Sequence, residues 1–206
     1  WIEYEIKIAS SENAPEKIKK FSNLILKRYN LKALNFKKKN QILPYVDQMF
    51  KLLDNTYNSL QTYVPIQDYQ IKHYKEKYLK YISPDLIKCV VDKDNDLIGF
   101  VIIMPSYAKA LRKVNGRLFP FGFLYLLKAS FYYDKASFYL IGIRQDFQNK
   151  GITAILFNEI QKTFNKRNIS IVETNPELEE NIAIQNNWKN YKNKVYKRRA
   201  TFSKKL

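Results

Sequence analysis

The chain reads as an α/β fold, a mixed sheet with one parallel strand pair near its centre and helices flanking it. Three observations carry that reading. An apolar run, Ser137–Ile143, is followed by an amphipathic stretch, Ile152–Phe164, and then by a second apolar run, Ile169–Thr174. Strand, crossover helix and strand in that order make a right-handed parallel pair. Ahead of them, Leu86–Val91 and Leu97–Met104 flank Asp92-Lys93-Asp94-Asn95-Asp96, the pattern of an antiparallel hairpin with a polar turn. At the two ends, Ile2–Ile8 alternates apolar and charged residues as a half-exposed strand, and Lys194–Lys204 alternates more weakly as an exposed one.

The remaining elements follow in order. Ala14-Pro15-Glu16 opens a helix to about Tyr29, with Ile18, Phe21 and Ile25 on one face. Leu31–Phe36 is a short strand. The next helix has Pro44 in its first turn, carries Val46, Met49, Phe50, Leu53, Tyr57 and Leu60, and is broken at Tyr63-Val64-Pro65. Asp68–Ile82 is helical. An insertion over 105–135 holds a short basic helix (Lys109, Arg112, Lys113), a turn at Asn115-Gly116, the run Phe119-Pro120-Phe121-Gly122-Phe123 and a helical tail. Phe138–Ile143 is expected as a buried strand, Lys150–Lys166 as a helix, Ile169–Thr174 as a second buried strand, and Pro176–Trp188 as mostly helix.

Composition narrows the class. The chain has 206 residues, 46% hydrophobic, with 16 Tyr and 13 Phe, enough for a real core. Its longest apolar stretch, Leu118–Leu127, falls short of the ~20 residues of a membrane span. One cysteine argues against a disulfide framework, so a cytoplasmic protein is expected. One histidine and one cysteine do not make an ordinary zinc site, and no metal is expected. Lys and Arg total 36 against 19 Asp and Glu, a formal charge of +17. Such a field attracts polyanions, including nucleic acid, anionic lipid and phosphorylated cofactors.

The segment Gln148-Asn149-Lys150-Gly151-Ile152-Thr153 joins the first apolar run to the amphipathic helix. The first N–H groups of a helix lack intrahelical partners and sit at its positive end, so such a turn is an anion site. Gly151 would let backbone approach a ligand closely. The stretch Ile143-Arg144-Gln145-Asp146-Phe147-Gln148-Asn149-Lys150-Gly151-Ile152-Thr153, with its strand before and helix after, resembles the GNAT superfamily of acyl-CoA-dependent N-acyltransferases. That resemblance spans about Leu31–Lys204. It implies acetyl-CoA or another acyl-CoA as co-substrate, with the coenzyme pyrophosphate on the amides of Gln148, Asn149, Lys150, Gly151, Ile152 and Thr153. Leu140, Ile141 and Ile143 would run beside the pantetheine arm, where the two parallel strands splay apart. The sequence departs from the family pattern in two places. Asn149 stands for a glycine, and asparagine is the next-best residue for positive φ. Thr153 stands for a second small residue.

Downstream, Glu173-Thr174-Asn175-Pro176-Glu177-Leu178-Glu179-Glu180-Asn181 ends the second parallel strand. Carboxylates there face the crevice where α/β ligands bind. Glu173 is the expected general base for an attacking amine; Glu177, Glu179 and Glu180 read as partners of a positive helix end. By the resemblance, Asn181 or Asn175 would contact the coenzyme. Seven positions after Asn181 the family often has a tyrosine that protonates the leaving thiolate. Here that residue is Trp188, whose indole is no acid near neutral pH, and Tyr191 is the nearest substitute. The aromatic run Leu118–Leu127 would line a wide acceptor or long acyl chain, form an extra core layer, or meet a neighbouring domain.

The segments from Ile42, through Phe119-Pro120-Phe121-Gly122-Phe123, to Asn175–Asn181 are similar to the C-terminal half of bacterial proteins that look like tandem GNAT-like domains. On that likeness, and with Trp rather than Met at position 1, residues 1–30 would be a linking strand and helix left from a preceding domain, and 31–206 the acyltransferase domain. A missing N-terminal domain is then an expected partner, beside an amine acceptor that is a small molecule, amino acid or peptide. Two other functions stay open at this point: transfer from acyl carrier protein or aminoacyl-tRNA, and a non-catalytic binding domain.

Overall fold

Backbone hydrogen bonding sorts the chain into seven strands. The computed structural model describes residues 1–10, 15–58, 64–78 and 82–204, so Leu60, Tyr63 and the last turn expected before Ile82 lie outside the described residues. The strands are β1 (Ile2–Lys7), β2 (Lys32–Asn35), β3 (Ile87–Val91), β4 (Leu97–Pro105), β5 (Lys135–Ile143), β6 (Ile171–Glu173) and β7 (Lys192–Arg198). The helices are α1 (Glu16–Arg28), α2 (Leu43–Tyr57), α3 (Asp68–Tyr78), α4 (Ala108–Lys113), α5 (Gly122–Phe131), α6 (Ile152–Lys166) and α7 (Ile182–Trp188). The strand order is β2-β3-β4-β5-β6-β1-β7, a mixed sheet in which β5 and β6 run parallel. Among the described residues no helix is long and apolar enough to cross a membrane.

The chain divides into two compact units. One comprises Asn13–Met104 and Leu140–Thr163. Its core forms because α2 places Val46, Met49, Leu52 and Leu53 at helical spacing against Ile87, Cys89, Val91, Phe100 and Ile102 of the β3–β4 hairpin. All five residues of β3 are buried, so it shows no alternation of polar and apolar residues. Lys88 fits this interior because its ammonium donates to Asn35 Oδ1 at 2.6 Å, and Asn35 Nδ2 donates to Glu159 Oε2 at 2.9 Å. The hairpin turn is held by the Asp92 carboxylate, which accepts the N–H groups of Asp94 and Asp96.

The other unit comprises Trp1–Glu12, Pro105–Tyr139 and Phe164–Leu206. Period-two alternation gives its strands two unlike faces. Ile2, Ile6, Ala136 and Val172 are buried on one, where Phe138 meets the rings of Phe164 at 6.2 Å and Trp188 at 5.1 Å. The opposite face carries Glu3, Glu5, Lys135 and Glu173.

The half-exposed strand expected at the start of the chain is β1, paired antiparallel with β6 on one edge and β7 on the other. Three other expectations change. Helix in the region 176–188 is confined to Ile182–Trp188; Glu177 is extended and exchanges two backbone hydrogen bonds of 2.9 Å with Ile2. Pro176 and this pairing together hold the segment out of the helical region. β5 begins at Lys135 and is only partly buried, with Tyr139 48% exposed. The aromatic run of the insertion forms no core layer either, since Phe119 is 87% and Phe121 69% exposed.

Gly142 is where β5 admits the Phe100 ring, because a Cβ built on it would lie 2.8 Å from Phe100 Cε1. The Gly142→Ala variant is expected to lose about 1–3 kcal/mol in urea unfolding. The same change is expected to cost much less when made together with Phe100→Leu.

Candidate active site

The turn between β5 and α6 is built by local hydrogen bonds and two left-handed residues. Phe147 N–H donates to Arg144 O at 2.8 Å, and the Arg144 guanidinium grips the Asp146 carboxylate at 2.8 and 3.1 Å. That pairing lowers the Asp146 carboxyl below its ordinary range. Asn149 has φ 61° and Gly151 φ 84°, so the asparagine does adopt the conformation for which a glycine would otherwise be needed. Lys150 lies over the rings of Phe147 at 5.0 Å and Tyr29 at 5.6 Å.

The donors of this turn are fewer than the sequence suggests. Gln148 N–H and Lys150 N–H are already given to Gln145 O and Phe147 O, each at 3.2 Å. The N–H groups of Asn149, Gly151, Ile152 and Thr153 have no acceptor among the described residues. They lie at the positive end of α6, where N–H groups without acceptors favour an anion. Gly151 has a second reason to be glycine. A Cβ there would lie 2.6 Å from Phe21 Cε1 and 3.2 Å from Ile25 Cγ1, so α1 occupies the space that the sequence reading gave to a ligand.

The strand leading into the turn also offers donors. Arg144 N–H donates to Ile98 O of β4 at 2.8 Å, so alternation turns the amides of Ile141 and Ile143 to the opposite edge. Side chains take the carbonyls on that edge. Tyr57 Oη donates to Ile141 O at 3.2 Å, and Thr56 Oγ1 and Gln148 Nε2 approach Ile143 O at 3.4 and 3.5 Å. By the same alternation the N–H groups of Ile141 and Ile143 turn to that edge as well. Leu140 is packed against the α2 core. Tyr57 and Thr56 were legible in the sequence only as helix positions; nothing in their spacing marks them as caps for a strand.

In the other unit, the parallel ladder is short. β6 pairs with β5 only from Lys135↔Ile171 to Ser137↔Glu173, and Asn175 Nδ2 then donates to Tyr139 O at 2.7 Å. Glu173 is the last ladder residue. It lies 3.8 Å from Lys135 Nζ and is paired in register with Glu5. Hydrogen bonds from Lys194 and Lys135 hold the Glu5 carboxyl below its ordinary value, against burial. Asn181 accepts Ile184 N–H at 3.4 Å and caps α7. Trp188 is 3% exposed and donates to Glu177 Oε1 at 2.9 Å, so this position is a core position. Burial pushes the Tyr191 hydroxyl up, which makes it a weaker acid than an exposed tyrosine. Glu177, set aside in the sequence as a helix-end partner, is a half-buried carboxyl instead. Burial pushes its pKa up to about 7, opposed by hydrogen bonds from Trp188 and Thr174.

No protein-family model matches the chain. Protein YghO of Escherichia coli K12 is 24% identical over 196 residues, covering 92% of this chain. The chain spans about half the length of that relative, 49%. Among solved structures, a GCN5-related N-acetyltransferase from Sphaerobacter thermophilus aligns over 95% of this chain and 48% of its own, with TM-score 0.55 and 11% identity. An aminoglycoside acetyltransferase from an uncultured soil sample, solved with trehalose, aligns over 88% of this chain and 99% of its own, with TM-score 0.52 and 13% identity. The fold is that of the GCN5-related N-acetyltransferases.

The Glu177 carboxyl binds its proton more tightly in the folded chain than in the unfolded one, where about 4.5 is ordinary. Its contribution to stability is therefore full below pH 4.5 and is lost as pH rises through about 7. The melting temperature is expected to fall by on the order of 5 °C between about pH 5 and pH 8 from this group. Glu177→Gln, which keeps an acceptor for the Trp188 indole, is expected to remove that part of the slope in scanning calorimetry.

Proposed function

We propose that the chain is an acyl-CoA-dependent N-acyltransferase domain. One observation carries this reading: the N–H groups of Asn149, Gly151, Ile152 and Thr153 have no acceptor among the described residues, and they stand directly after the strand β5. Main-chain donors of that kind fit a diphosphate followed by an amide-bearing arm. Lys150 and the +17 charge favour the same polyanion.

The amine acceptor attacks the thioester carbonyl directly. A β5 amide among Leu140–Ile143 polarises that carbonyl as charge develops on its oxygen. Glu173 takes the proton released by the amine, as the nitrogen–carbon bond forms and the carbon–sulfur bond breaks. We assign no acid to the leaving group. Trp188 cannot serve, burial weakens Tyr191, and a thiolate leaves near neutral pH without help. Acyl carrier protein or aminoacyl-tRNA as donor is the rival reading, since the chain's charge suits either. A preceding domain of the same polypeptide, matching the unspanned half of YghO, belongs to the proposal as a partner.

Thermal-shift measurements with free coenzyme A, acetyl-CoA, longer acyl-CoAs and tRNA test the donor. At least one CoA species is expected to raise the melting temperature by several degrees at saturating concentration. Gly151→Asp is a poor control, because it also displaces Phe21 and strains the backbone. Thr153→Glu is the better one. A carboxylate in the first turn suits the helix dipole, so the variant is expected to melt no lower than wild type while losing at least about tenfold in CoA affinity. A shift with tRNA and none with any CoA gives the rival reading. Glu173→Gln is expected to keep the CoA shift and to lower acyl transfer about 100-fold or more. Undiminished transfer in that variant removes Glu173 from the mechanism.

A further inference from the structure

Helices α4 and α5, with the turn joining them, make a hairpin whose apolar residues point away from any core. Phe119 is 87% exposed, Phe121 69%, Phe131 68% and Leu127 55%. On α5, the positions of Phe123, Leu124, Leu127 and Phe131 fall within an arc of about 100°, a continuous apolar stripe. This is not a loose segment. Gly116 has φ 73° and donates to Leu111 O at 3.0 Å, Arg117 N–H donates to Val114 O at 2.9 Å, and Phe123 N–H to Leu118 O at 2.9 Å. Gly122 is packed so tightly that a Cβ on it would lie 1.9 Å from Arg117 O. The backbone is fixed and the aromatic rings are presented outward.

The charges around the stripe identify the occupant. Residues 105–135 hold six basic residues, Lys109, Arg112, Lys113, Arg117, Lys128 and Lys135, and a single acid, Asp134. Asp134 pairs with Lys109, and Lys135 turns to Glu5 and Glu173. No ion pair among the described residues engages Arg112, Lys113, Arg117 or Lys128. The Lys113 ammonium lies 5.0 Å from the Tyr125 ring centroid, and Lys128 falls at the edge of the stripe. Protein–protein interfaces are depleted in lysine at their centres. Phenylalanine and tyrosine rimmed by unpaired lysine and arginine is instead the composition that lies on an anionic bilayer, rings at the acyl boundary and cations among the headgroups.

We propose that the α4–α5 hairpin docks the protein on a membrane surface rich in anionic phospholipid. It inserts the Phe119, Phe121, Leu127 and Phe131 side chains at the interface, and Arg112, Lys113, Arg117 and Lys128 face the headgroups. Among the described residues no helix is long and apolar enough to span the bilayer, and binding is reversible and salt-dependent.

The test uses the full-length protein and two vesicle types: phosphatidylcholine alone, and phosphatidylcholine with about one third phosphatidylglycerol. Co-sedimentation is expected to favour the anionic vesicles by at least about tenfold, and most of that preference is expected to vanish in about 1 M salt. A Phe121→Trp variant reports position directly. Its added indole fluorescence is expected to be open to an aqueous quencher before lipid is added, and blue-shifted and shielded with anionic vesicles. Phe119→Ser with Phe131→Ser is expected to reduce binding about tenfold with an unchanged circular-dichroism melt; Arg112→Glu with Arg117→Glu does the same while leaving the apolar stripe intact. Absent binding, or equal partition onto both vesicles, overturns the proposal. So does an indole already shielded without lipid, which means that another part of the chain or a second copy covers the hairpin.

Discussion

Strand β5 is the element on which the rest depends, and its constraint is a backbone one. A strand inside a sheet must satisfy two rows of N–H and C=O groups, and an orphaned buried polar group costs as much as a lost hydrogen bond. β4 takes one row. β6 takes the other for only three residues, up to Ser137. Beyond that point side chains accept the duty of a strand: Asn175 for Tyr139 O, Tyr57 for Ile141 O, and Thr56 with Gln148 for Ile143 O. These caps are all donors. They satisfy the carbonyls of Tyr139, Ile141 and Ile143.

The same accounting explains the electrostatics. Unit-charge carboxylates are tolerated on the polar sheet face because each is surrounded by cations: Glu3 by Lys197 and Arg199, Glu5 by Lys135 and Lys194. Hydrogen bonds from Lys194 and Lys135 favour the ionised form of Glu5. Glu177 lies among apolar rings with only neutral donors, so the uncharged form is favoured there. Within one unit, Glu5 and Glu177 thus have opposite tendencies.

How much of this could be read from the sequence depended on whether a signal was local. The βαβ order, the β3–β4 hairpin, Pro44 in the first turn of α2 and the positive φ of Asn149 are all set by neighbours along the chain, and all appear in the structure. The parts missed or misread are set by distant residues. The alternation of Ile2–Lys7 marks a half-exposed strand, but its partners, β6 and β7, lie far along the chain and leave no local signal. Pro176–Asn181 carries glutamates that suit a first helical turn, yet the backbone of Glu177 is captured by Ile2, 175 positions earlier in the chain. Tyr57 looks like one more residue of an amphipathic stripe; its hydroxyl reaches a strand 84 residues on.

Gly151 shows why a motif and a site are separate claims. The motif needs a residue of positive φ without a side chain, and two independent demands meet there. The backbone turns through φ 84°, and Phe21 with Ile25 fills the space beside the Cα. Either demand alone selects glycine, so its presence argues for a tightly built turn before it argues for a ligand. What points to a ligand is the set of amides around it. Asn149, Gly151, Ile152 and Thr153 leave four donors without acceptors at the positive end of a 15-residue helix, where water or an anion must serve them. Packing by α1 fixes those amides in direction, and a fixed set of donors loses little freedom when a diphosphate binds. Phe21 and Ile25 therefore account for the glycine by packing, and the amides alone carry the argument for an anion.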